Sequence, residues 1–219
     1  MGRPEGPLAG PPHRRRFARR LRELRAEAGV TYDEMAAVAA VSPSTLKRAA
    51  SGAVLPKWIT VVHFYIACFA AAAHHTRPIP KVAELEKLWR TARMEERGTL
   101  HLKNPRPEYI ADQADLSHAL YALYERAGAP PLRQVQRQGG EPLHLPLSTL
   151  ARIVNRETLP ADQKQYLAFL VGCGVPEEQR VKWLAAWKKS FPVSAAILKV
   201  LTEEEELRRS RGSPAGAAT

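Results

Sequence analysis

One helical pattern occurs twice along this chain, and that repetition limits the fold more than any other feature. Phe17, Leu21, Leu24 and Ala28 recur at the spacing of a single apolar stripe on a helix, and Gly29 follows where a helix should stop. Leu116, Leu120, Leu123 and Ala127 repeat the same intervals, and Gly128 follows them. Ser44-Thr45-Leu46 returns as Ser148-Thr149-Leu150, and Leu55-Pro56 stands after the first tripeptide as Leu159-Pro160 stands after the second. An apolar segment comes next each time, with Val61, Val62, Tyr65 and Cys68 in one copy and Tyr166, Leu167, Leu170 and Cys173 in the other. A tryptophan-bearing helix closes each copy, around Leu85, Leu88 and Trp89, then around Trp183, Leu184 and Trp187. Elements aligned in the same order imply a duplicated domain. Strand alternation is nearly absent and Ala, Leu, Arg and Glu fill the periodic segments, so the expected class is all-α.

Charge narrows the choice of partner. The 33 Lys and Arg outnumber the 22 Asp and Glu, giving a net charge of +11, which favours a polyanion. Nucleic acid comes first and an anionic membrane surface second. The longest apolar run, Ile59 to Ala73, is interrupted by His63 and is too short to span a bilayer. The N-terminal arginines have no apolar stretch behind them, so no secretory signal is expected and the chain reads as cytoplasmic. Cys68 and Cys173 lie far apart in apolar runs and read as buried core residues.

The sharpest local signal lies between Tyr32 and Gly52. Asp33 to Ala39 has the composition of a short helix, with Thr31 placed to cap its start. Ala36 is small where two helices must cross closely, Ala40 stands at a tight turn, and Val41 follows as a core plug. Ser42 is a good N-cap and Pro43 occupies the first helical position, where its missing N–H does no harm. Leu46 and Ala49 face the core, leaving Ser44, Thr45, Lys47 and Arg48 outside. This arrangement resembles the helix-turn-helix of the Cro/phage-repressor-like (XRE) family, over Phe17 to Trp89, with Ala40 where that family usually has glycine. The resemblance implies that helix 43–51 lies in the major groove of double-stranded DNA, with Ser44, Thr45, Lys47 and Arg48 reading bases or holding phosphates. Lys57 and the cap hydroxyl of Ser42 are placed for phosphates. Arg14, Arg15, Arg16, Arg19 and Arg20 are expected to add backbone or minor-groove contacts.

The second copy departs from this pattern. It is longer between Gly128 and Leu150, the excess falling around Gly139-Gly140-Glu141-Pro142. Leu132 and Val135 still mark a short helix and Leu145 a plug, but Pro146-Leu147 replaces Ser42-Pro43 and removes the capping hydroxyl. Ser148, Thr149, Arg152, Asn155 and Arg156 would form its outer face. That face is either a second DNA contact or a degenerate copy kept for packing, dimerisation or a protein partner.

The expected architecture is two tandem repressor-like domains, each built around a helix-turn-helix. A disordered basic arm covers 1–16, the first domain 17–98, a linker 99–114, the second domain 115–191, and a short helix with a disordered tail 192–219. No cofactor, metal or enzymatic role is expected, since no phosphate-binding glycine loop and no ligand cluster can be traced. His74-His75 are adjacent and so point apart on a helix, and Glu203 to Glu206 read as a solvated face. The four tryptophans read as packing groups. The expected function is sequence-specific DNA binding in transcription regulation, with homodimerisation open. The rivals are a protein-interaction adaptor and a non-specific nucleoid or replication-associated DNA binder.

Overall fold

The computed structural model describes residues 5–72 and 82–191. Every regular element among them is helical, as expected. The helices are α1 (Pro12–Ala28), α2 (Tyr32–Val38), α3 (Pro43–Ala49), α4 (Trp58–Ala72), α5 (Val82–Glu96), α6 (Gln113–Arg126), α7 (Leu132–Gln138), α8 (Leu147–Val154), α9 (Gln163–Gly172) and α10 (Glu177–Ser190), with a 3-10 turn at Pro107–Tyr109. The expected final helix at Ala195 to Arg209, the run Glu203 to Glu206 and the pair His74-His75 lie outside the described residues.

The apolar stripes divide the helices between two clusters. Phe17, Leu21, Leu24, Met35, Leu46, Val61, Phe64 and Leu85 join α1 to α5. Leu116, Leu120, Val135, Leu145, Leu150, Tyr166, Phe169 and Trp183 form the second cluster, from α6 to α10 and the loop before α8. Both cysteines are buried, and burial pushes the Cys68 thiol up to about 12 and raises that of Cys173 as well. Each behaves as a small core residue. The tryptophans also pack: Trp58 against Trp89 at 5.6 Å between ring centroids, and Trp187 against Tyr166 at 4.7 Å.

Helix ends are fixed by local and distant groups alike. Gly29 closes α1 in the left-handed conformation, at φ 67°. Thr31 opens α2 in a capping box: its side chain accepts from the Glu34 N–H, and the Glu34 carboxylate accepts from the Thr31 N–H at 2.7 Å. Those bonds hold the Glu34 carboxyl below its ordinary value. The start of α1 has no side-chain cap from Pro11; instead the Glu95 carboxylate accepts from the backbone N–H groups of His13 and Arg14 at 3.0–3.1 Å. A carboxylate carried by α5 therefore closes α1 and fixes the pairing of the two helices.

Two expected boundaries need correction. α1 begins at Pro12, so Arg14, Arg15 and Arg16 sit on its first turns and not on a disordered arm. Residues ahead of it are also tied down: the Ala9 N–H donates to the Ser51 carbonyl at 3.0 Å, and Arg22 Nη1 donates to the Gly6 carbonyl at 2.8 Å. The stretch expected as a linker is likewise fastened at several points. Thr99 is buried, Arg126 donates to the Asn104 side chain and the Leu102 carbonyl, and Lys182 pairs with Glu108 at 2.8 Å.

The two halves meet at α5 and α6. Glu125 is 0% exposed and receives both Nε and Nη2 of Arg97, at 2.7 and 2.6 Å, with the Thr99 hydroxyl at 3.2 Å. Gly128 adopts φ +92°, and a Cβ there would stand 2.6 Å from the Trp89 ring. Only glycine meets both conditions without displacement.

Candidate nucleic-acid interface

The exposed helix α3 is held from beneath by its core residues and from its ends by hydrogen bonds. Leu46 and Ala49 are buried while Ser42, Ser44, Lys47 and Arg48 are exposed and Thr45 is half-buried. Ser42 Oγ accepts from the Thr45 N–H at 3.3 Å and lies 3.0 Å from both the Ser44 and Thr45 hydroxyls. With Pro43 at the first helical position, the helix starts where the sequence places it. At its far end, Arg22 Nε donates to the Ala50 carbonyl at 2.8 Å and Arg14 Nε to the Gly52 carbonyl at 2.9 Å. Two cations from α1 thus satisfy carbonyls at and just beyond the C-terminus of α3, where the helix is electron-rich.

Ala40 fits its turn because the connection between α2 and α3 avoids positive φ. Among the described non-glycine residues only Ala129 and Arg156 have it, and Ala39 is extended at φ −102°, ψ 146°. No left-handed residue is required, so a glycine at this position would have nothing to contribute. Val41 is half-buried against the first cluster, a looser plug than Leu145 in the second half, which is 0% exposed.

The expected cations divide into two groups. Lys47, Arg48, Lys57, Arg15, Arg16 and Arg19 are exposed, and among the described residues none of them enters an ion pair. Lys47 Nζ sits 5.9 Å from the centre of the Tyr32 ring. Arg14 and Arg20 are committed elsewhere. Arg14 is spent on Gly52 and lies 3.9 Å from Glu96, whereas Arg20 pairs with Glu27 at 2.9 Å and Glu23 at 3.2 Å. Hydrogen bonding to Glu27 raises the Arg20 pKa further.

On the outer face of α8 the polar side chains are partly paired among themselves. α8 begins at Pro146 with no side-chain cap. Ser148 is exposed and Thr149 half-buried, but Arg152 and Asn155 both turn to Glu157, at 3.9 and 3.2 Å. Arg156, at φ 64°, contacts the His118 ring nitrogen at 2.7 Å. The longer turn is gathered by Gln136, whose amide donates to the Leu145 carbonyl at 2.9 Å. A cleft of about 720 Å³ lies apart from α3, between α5, the segment 100–108, the end of α6 and α10. Two of the cations lining it are already paired, Arg90 with Glu86 and Lys182 with Glu108. Among the described residues no three His, Cys, Asp or Glu side chains gather as metal ligands would, and no helix is long and apolar enough to cross a membrane.

Comparison with known proteins agrees with this geometry for the first half. Residues 16–68 match a family model described as a helix-turn-helix domain. The stretch from α1 through most of α4 is therefore similar to a helix-turn-helix domain, a fold class that occurs in DNA-binding proteins. No curated protein and no solved structure matches the chain.

Proposed function

We propose that the chain is a sequence-specific duplex-DNA-binding protein that acts in transcription regulation as a binding module without catalysis. α3 enters the major groove. Ser44, Thr45, Lys47 and Arg48 face base edges and adjacent phosphates there, and Ser42, Lys57, Arg15 and Arg16 contact the backbone. The observation that carries this reading is that Lys47 and Arg48 stand exposed and without ion-pair partners among the described residues, on a helix whose opposite side is buried in a helix-turn-helix domain. Unpaired cations on a fixed helix cost little to bring to phosphate or to guanine.

Selection of duplexes from a random pool, followed by affinity measurements over a range of salt, tests it. One enriched motif is expected, with log affinity falling against log salt at about −0.9 per phosphate contacted. Equal affinity for every sequence would favour a non-specific architectural protein, and no binding at low salt would leave the adaptor reading.

The second half is a packed platform and not a second reader. Its Arg152 and Asn155 already answer to Glu157, and that carboxylate would meet phosphates unfavourably. Footprinting should accordingly protect one patch; two patches about one helical turn apart would restore Ser148, Thr149 and Arg152 as contacts.

A second copy of the chain is the partner that α4 best suits. Ile59, Ile66 and Phe69 are exposed on the side of α4 opposite Val61, Phe64 and Cys68, with half-buried Val62 between them. Their alternating spacing of three and four is the pattern by which identical helices interlock. Ile66→Glu should shift the sedimenting species from dimer to monomer without loss of helicity. A wild-type chain that sediments as a monomer at micromolar concentration would refute the dimer.

A further inference from the structure

We infer that Arg22, Arg25 and the Tyr32 hydroxyl form a seat for a DNA backbone phosphate, and that the Glu5 carboxylate fills this seat in the free chain. The inference rests on the reading of α3 as the DNA-facing helix and extends that interface to residues on α1 and α2.

Two guanidinium cations and one hydroxyl donor converge on one carboxylate. Glu5 Oε2 lies 2.8 Å from Arg22 Nε, and its Oε1 lies 3.1 Å from Arg25 Nη2 and accepts from the Tyr32 hydroxyl at 2.5 Å. Two guanidinium charges surround a single negative charge, so the seat retains a net positive charge with Glu5 in place. Arg25 lies over the Tyr32 ring at 4.6 Å, and its Nε is buried with no hydrogen-bond partner among the described residues. A buried donor left unpaired around an occupied anion site marks an incomplete fit. A phosphodiester carries the same charge as a carboxylate and presents its acceptor oxygens on a wider tetrahedral centre, so it can use the same two cations and the same hydroxyl.

The seat adjoins the proposed reading helix at two points. Lys47 of α3 faces the same Tyr32 ring, and Arg22 holds the Ala50 carbonyl at the end of α3. A phosphate seated there would lie beside the groove that α3 enters. Glu5 belongs to a short segment laid along this edge through Gly6 and Ala9, and close approach is allowed by Gly10 and Gly52. DNA binding then exchanges one anion for another and releases the Glu5 end of that segment.

The test uses the full chain with a short random-sequence duplex, followed by fluorescence anisotropy across a salt series. Glu5→Gln should tighten binding by about threefold, the scale of a partly exposed ion pair. Glu23→Gln is the control: it removes the same charge from the exposed side of α1, where Glu23 pairs with Arg20, and should leave affinity nearly unaltered. Arg25→Gln should weaken binding and make the salt slope shallower by about 0.9, one phosphate's share. Equal tightening by Glu5→Gln and Glu23→Gln would overturn the seat as a general charge effect, as would an Arg25→Gln variant that keeps the wild-type slope. Wild-type protein that fails to bind at low salt would instead overturn the α3 reading, and the seat with it.

Discussion

Arg97→Met should lower the unfolding free energy by about 3 kcal/mol, measured by urea denaturation at neutral pH. Glu125 is 0% exposed, and Arg97 supplies its only cation among the described residues at 2.6 and 2.7 Å; the Thr99 hydroxyl alone cannot replace it. Removing the guanidinium strands a buried negative charge, which is costly because water cannot reach it. The Arg97 side chain is 37% exposed, so its own desolvation is small and the loss belongs at the low end for buried pairs. Adding Glu125→Leu to Arg97→Met should recover most of the loss, since the stranded charge is then gone. A single variant as stable as wild type would mean that water reaches Glu125.

The same pair shows which parts of this fold its sequence displays. Signals that act within one or two turns were legible. Gly29 ends α1, Thr31 opens α2, Ser42 and Pro43 open α3, and the stripe Phe17, Leu21, Leu24 is buried as its spacing requires. What the sequence concealed are pairings made by the fold itself. Glu95 caps α1 from α5, Arg97 meets Glu125 across the two halves, and Glu5 returns to α1 and α2. A lone glutamate in a charged helix carries no local mark of its partner. Close approach is equally silent: Cβ atoms at Gly139 and Gly172 would stand 2.5 Å from the Ala168 carbonyl oxygen and 2.4 Å from that of Val135, so α7 and α9 need both glycines to pack. The candidate site divides along the same line. The outer residues of α3 followed from which neighbours had to be buried. Arg14, Arg15 and Arg16 looked alike in sequence, but successive helical residues point about 100° apart and only Arg14 turns toward Gly52.

Arg48→Ala should weaken binding to a selected duplex by about 1–3 kcal/mol, and Lys47→Ala by about 1 kcal/mol, the two effects differing in kind. Arg48 is exposed with no ion pair among the described residues, so its planar fork is free to take both acceptors on a guanine edge. Its removal should therefore hurt the selected duplex more than a random one, reducing the ratio between them. Lys47 leans over the Tyr32 ring at 5.9 Å, which directs its ammonium toward the edge shared by α2 and α3 and so toward a phosphate. Its removal should weaken both duplexes alike and make the salt slope shallower by about 0.9. Both side chains are exposed, so each variant should unfold within about 0.5 kcal/mol of wild type, leaving the change in affinity to binding alone. If Arg48→Ala lowers both duplexes equally, the arginine holds phosphate and the sequence preference must come from Ser44 and Thr45. If neither variant changes affinity or preference, α3 does not face the groove, because no other residues on its outer face carry a positive charge.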